Sequence, residues 1–118
     1  MSLCDTTPTM AEIYTLLYRL GLNANYVGFF YASYAVWLCA QQPQRLLLVT
    51  KWLYPEVAAH YNTNWKRVER SLRTVVTIAW RSNPALLCLL AGEPLIEKPR
   101  LTHFISILSR SLSPEDIA

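Results

Sequence analysis

The chain has 118 residues, is 53% hydrophobic and 16% charged, and carries a net charge of +3 with a pI near 8.9. That length fits one domain. The apolar content excludes a disordered chain, and mild basicity alone names no partner. Cys4, Cys39 and Cys88 form no C-x-x-C pair and match neither a disulfide framework nor a metal site. A reducing cytoplasm is therefore expected, with Cys39 and Cys88 behaving as small core hydrophobes. The N-terminus lacks the basic start and apolar run of a signal peptide.

In chain order, residues 1–8 read as a flexible N-terminus, 9–112 as one helical domain and 113–118 as a frayed tail. The class is all-α, a single multi-helix domain. Met10, Ile13, Leu16, Leu17 and Leu20 fall at helical spacing over residues 9–20, and Gly21 is a C-terminal stop. Asn25 is expected to cap an uncharged helix that runs to Ala40 and stops before Pro43. Residues 26–40 would span roughly 22 Å as a helix, short of a hydrocarbon core of about 30 Å, so this is a buried core helix and no membrane is implied.

A further helix is expected from Gln44 to about Leu53. Pro55 then suits the N1 position of a short helix over residues 56–61, ended by Asn62. Asn62 or Thr63 is expected to cap a long helix over residues 64–81. Val68, Leu72, Val75, Val76 and Ala79 fall on one face of it, and Lys66, Arg67, Glu69, Arg70, Arg73 and Thr77 on the other. Ser82-Asn83-Pro84 breaks that helix before a short apolar one over residues 85–91. A loop with Pro94 and Pro99 leads to a last helix over residues 102–112, with Phe104, Ile105, Leu108 and Leu112 inward.

The short helix, tight turn and long basic helix make the outline of a helix-turn-helix, whose second helix enters the major groove of DNA. Residues 64–81 sum to +4 while the rest of the chain sums to −1, so the positive charge is concentrated there. Arg67 and Arg70 lie three apart on one face, and each guanidinium can pair with guanine O6 and N7. Glu69 would accept from a cytosine amino group or orient Arg73 at i,i+4. Lys66 and Arg73 suit phosphates, and Thr63 and Asn64 could add neutral hydrogen bonds to the backbone of the duplex.

The remaining polar residues offer less. His60 and His103 have no cysteine or carboxylate at ligand spacing and read as surface or capping histidines, so no metal is expected. Glu93 and Glu97 read as loop carboxylates. No nucleophile–base arrangement and no phosphate-cradling glycine loop is present, so neither an enzyme, a cofactor nor a small-molecule ligand is expected. Trp37, Trp52 and Trp80 read as core, and Trp65, in the first turn of the basic helix, as packed on the short helix, with a place against a sugar-phosphate strand as the alternative.

Leu53-Tyr54-Pro55, Asn62-Thr63, Arg67-Val68-Glu69-Arg70 and Ile78-Ala79-Trp80 resemble the C-terminal DNA-binding effector domain of the stage-zero sporulation master response regulator family. Gly21-Leu22-Asn23 through Tyr31, Lys98-Pro99 and Phe104-Ile105 are similar to other parts of that family, so the likeness covers most of residues 10–112. The resemblance implies an all-helical regulator of transcription that binds double-stranded DNA at a short box, often in tandem. It assigns Arg67, Glu69 and Arg70 to base reading, matches Arg73 to a family arginine, and implies a homodimer on tandem sites.

The chain departs from the family pattern in two places: Ser33 and Tyr34 stand where the family usually has charged residues, and Thr74 replaces a histidine. The first departure points to altered packing or a partner surface on helix 26–40. Family parents carry a receiver domain, which this sequence lacks, so an excised effector domain or a stand-alone regulator is expected. The second reading of the chain is a protein-interaction module that keeps the fold without specific DNA binding.

Overall fold

A computed structural model describes residues 8–112, so the two expected flexible ends lie almost wholly outside the described residues. Six α-helices and no strand occur among them. They are α1 (Met10–Arg19), α2 (Val27–Gln41), α3 (Tyr54–His60), α4 (Trp65–Ser82), α5 (Pro84–Ala91) and α6 (Leu101–Ser111). No single helix among the described residues is long and apolar enough to cross a membrane.

A capping box starts α1. Thr9 Oγ1 accepts from the Glu12 amide at 3.1 Å, and Glu12 Oε1 accepts from the Thr9 amide at 2.8 Å. Gly21 follows with φ +92°, and a Cβ there would meet Ser82 Cβ at 2.4 Å. Only glycine satisfies both the backbone and the space. Asn25 does not cap α2 as expected. Its amide instead donates to Asn23 Oδ1 at 2.9 Å, and α2 begins one residue after Tyr26, without a side-chain cap bond. The Asx turn uses the asparagine pair to bend the chain before the helix starts.

Helix α2 is the central element and packs on α1, α4 and α6. Phe29, Ala32, Ala35, Val36 and Cys39 are all but fully buried. Ser33 is buried too, and its hydroxyl donates to the Phe29 carbonyl at 2.7 Å, so its polarity is satisfied within its own helix. The apolar surface that α2 leaves for a partner shrinks to its start, where Tyr26 at the N-cap and Val27 and Phe30 in the first turn are exposed.

Residues 43–53 depart from the expected α-helix. Pro43–Leu48 winds as a 3-10 helix and Val49–Leu53 as a π-helix. The cause lies in Arg45, which the chain draws inward. Its guanidinium pairs with Glu56 through Nε–Oε1 at 3.0 Å and Nη2–Oε2 at 3.2 Å. It also donates to the Leu38 carbonyl at 3.3 Å and lies 5.2 Å from the centre of the Trp52 ring. Of the apolar residues in this stretch, Leu53 is fully buried, while Leu47 and Leu48 are exposed.

The turn between α3 and α4 is built by Asn62 at φ +56°, a left-handed conformation asparagine tolerates. The Thr63 amide donates back to the Ala58 carbonyl at 2.9 Å and closes α3. With both residues spent on the turn, the expected cap moves to Asn64, whose Oδ1 accepts from the Arg67 amide at 3.0 Å. All five residues expected inside, Val68, Leu72, Val75, Val76 and Ala79, are buried. At Asn83 the chain bends by 104° into α5.

The crossing of α2 and α4 fixes where α4 lies. A Cβ on Gly28 would stand 2.6 Å from Val75 Cγ2 and 2.7 Å from the Ser71 carbonyl oxygen. The second contact is backbone, which cannot rotate away. Gly28→Ala should therefore destabilise the fold by about 1–3 kcal/mol through overpacking, measured as a lowered urea midpoint. An unchanged midpoint would mean that the helices are not in close contact at Gly28.

Candidate nucleic-acid interface

Helices α3 and α4, joined by the Tyr61–Asn64 turn, form the expected helix-turn-helix. Two contacts hold the preceding helix in place. Tyr61 Oη donates to the Phe30 carbonyl at 3.2 Å, and the His60 ring stacks on Tyr34 with centroids 4.0 Å apart. His60 is thus a stacked surface residue, and Tyr34, which with Ser33 makes the first departure from the family pattern, is its platform. Among the described residues no group of His, Cys, Asp and Glu could hold a metal ion.

The face of α4 opposite its core stripe carries the candidate site. Lys66, Arg67 and Arg70 are exposed, as is Asn64, and Thr63 is half-buried. Lys66, Arg70, Arg73 and Thr77 follow one another at helical spacing along that face. Glu69 sits at the edge of the face. Its Oε2 accepts from Arg73 Nη2 at 2.8 Å, so the i,i+4 orientation expected from the sequence is formed. The hydrogen bond to Glu69, and then its charge, raise the Arg73 pKa above its ordinary value, so the guanidinium stays charged.

Trp65 does not join the core. By helical phase it belongs to the core side of α4, but it stands a turn short of Val68, the first core residue, and its side chain is 37% exposed. Lys66 Nζ lies 5.8 Å from the centre of its ring. Trp37 and Trp80 are half-buried against the core, as expected.

A feature the sequence did not disclose adjoins this face. The segment before α6 comes alongside α4, and Lys98 Nζ donates to Thr77 Oγ1 at 3.0 Å. Between them lies an open groove of about 520 Å³, lined on the α4 side by Glu69, Arg73 and Val76 and on the other by Lys98 and Arg100. Tyr54 forms part of its lining. Burial, reinforced by the Glu69 charge, pushes the Tyr54 phenol up to about 12, so it stays neutral. The only advance signal of this arrangement was a pair of cations flanking Pro99, which is buried.

Elsewhere, burial raises the Cys39 thiol to about 12, which keeps it protonated. Half-buried Cys88 accepts from the Leu95 amide at 3.3 Å. Glu93 and Glu97 are exposed in the loop.

The family model described as "Sporulation initiation factor Spo0A C terminal" matches residues 13–112, most of the chain. This family is one of DNA-binding transcription factors and not of enzymes. With its helix-turn-helix, its exposed arginines and that match, the chain belongs to the family of the sporulation initiation factor's C-terminal DNA-binding domain.

Proposed function

We propose that this domain binds double-stranded DNA sequence-specifically as a regulator of sporulation transcription, with α4 in the major groove. Arg67 and Arg70 read guanines through O6 and N7. Glu69 is held by Arg73, and its Oε1 is the oxygen that would accept from a cytosine amino group. Lys66 and Arg73 meet phosphates, with Thr63 and Asn64 adding neutral contacts at the start of the helix. Asn64 uses Oδ1 as the cap, which leaves its amide hydrogens for an acceptor in the duplex.

One observation carries this reading. The exposed face of α4 presents Arg67 and Arg70 with no ion pair to any of the described residues, while the only carboxylate of that helix is held by Arg73. An exposed i,i+4 pair is worth only about 0.3–0.5 kcal/mol, so its use is to orient the Glu69 carboxylate rather than to stabilise the fold. Two domains on tandem boxes would form a homodimer assembled on DNA.

Anisotropy titrations on duplexes with and without a sporulation-type box test the assignment. Arg67→Ala and Arg70→Ala should each cost about 1–3 kcal/mol on the cognate duplex and narrow its margin over an unrelated one. Equal losses on both duplexes would remove the two arginines from base reading. Lys66→Ala should weaken both duplexes alike and flatten the salt dependence by about one unit of slope. Light scattering should give one domain per single-box duplex and two per tandem-box duplex. A 1:1 complex with the tandem duplex would refute the dimer.

A further inference from the structure

We propose that the segment leading into α6 is a second phosphate clamp, in which Lys98 and Arg100 grip the sugar-phosphate strand running along the Glu69–Arg73 flank of α4. The inference rests on the duplex-binding reading above and extends it to a part of the chain outside the helix-turn-helix.

Placement is the first argument. Lys66, Arg70, Arg73 and Thr77 make a row along α4, about 16 Å long at 1.5 Å per residue. Three of the four are cations, and the fourth position is neutral. Lys98 donates to that threonine hydroxyl at 3.0 Å. The ammonium therefore stands where the row lacks a charge, delivered from 21 residues away. Thr77 is itself fixed, since its hydroxyl donates to the Arg73 carbonyl at 3.2 Å.

Rigidity is the second. Pro99 is buried between the two cations, while Lys98 and Arg100 on either side are exposed. A docked proline ring with fixed φ holds its neighbours outward.

Electrostatics and shape are the third. The groove of about 520 Å³ carries Arg73, Lys98 and Arg100 against Glu69 alone, so its charged lining sums to +2. It is open and lies beside the base-reading face. A helix seated in a major groove has a phosphate strand on each side, and cations on its flank meet that strand. An open trough continuous with such a face fits a strand better than an enclosed small anion.

The test measures duplex affinity against salt for the whole chain. Each phosphate contact adds about 0.9 to the slope of log K against log salt. Lys98→Ala and Arg100→Ala should each flatten the slope by about one and weaken cognate and unrelated duplexes alike. Lys98→Gln keeps a donor for Thr77 without the charge, and should match Lys98→Ala. Arg110→Ala removes an exposed α6 cation outside the groove and should keep the wild-type slope. Adding inorganic phosphate at constant ionic strength should not compete.

Wild-type slopes for the Lys98 and Arg100 variants would overturn the clamp. So would an equal flattening by Arg110→Ala, which would mark a net-charge effect, or competition by phosphate, which would mark a small-anion site. If Arg67→Ala and Arg70→Ala relax specificity while the Lys98 and Arg100 slopes stay put, only the clamp fails. If the wild-type chain shows no salt-dependent duplex affinity, both readings fall.

Discussion

The close approach of α2 to α4 at Gly28 sets the geometry on which the rest depends. An α-carbon without a side chain lets one helix rest against the backbone of the other at Ser71. Successive helix residues are about 100° apart, so the phase of packing decides which side chains face out. With Val68, Leu72, Val75, Val76 and Ala79 turned inward, Arg70 stands near the middle of the opposite face. A one-residue change of phase would bring charged side chains toward the core, where an unpaired charge is costly. The apolar stripe and the arginine face are thus two aspects of one constraint.

Two ion pairs serve this arrangement differently. Arg73 and Glu69 meet at the surface, where water screens them, and their contribution is direction. Arg45 is nearly buried and makes a two-point contact with Glu56 while also serving the Leu38 carbonyl. Taking Glu56 away would strand the nearly buried Arg45 guanidinium, and the pair ties the irregular stretch before α3 to both α2 and α3. The helix-turn-helix is anchored upstream by that fork and downstream by the bend at Asn83.

Periodicity made the helices legible. The core stripe of α4 was readable residue by residue because amphipathic helices repeat with a fixed period. The Arg67–Glu69–Arg70 face followed from the same pattern, and the family likeness rested on those residues. Caps were less legible, since cap identity depends on which residue finishes the preceding turn. Asn62 and Thr63 were taken by the turn and Asn64 by the cap. The winding at residues 43–53 was hidden because a charged side chain, Arg45, goes inside to meet a partner 11 residues away. Lys98 beside Thr77 was hidden for a similar reason, as a contact between distant segments has no local period. Trp65 was set apart from the core tryptophans by its place in the first turn of the long helix, and it is exposed there.

Asn83 spends every polar group it has. Its amide N–H donates to Ala79 and its carbonyl accepts from Leu87, which closes α4 and opens α5. Its side-chain oxygen accepts from Leu86, and its side-chain nitrogen donates to the Arg19 carbonyl at the end of α1. Aspartate would keep the first side-chain bond and set two acceptors against each other at the second; serine offers one short arm for two distant partners. Neither substitute reproduces the four bonds that asparagine makes here. The position is also a joint, in which one carboxamide ties the end of α1 to the elbow that terminates α4, beside the close approach of Gly21 to Ser82.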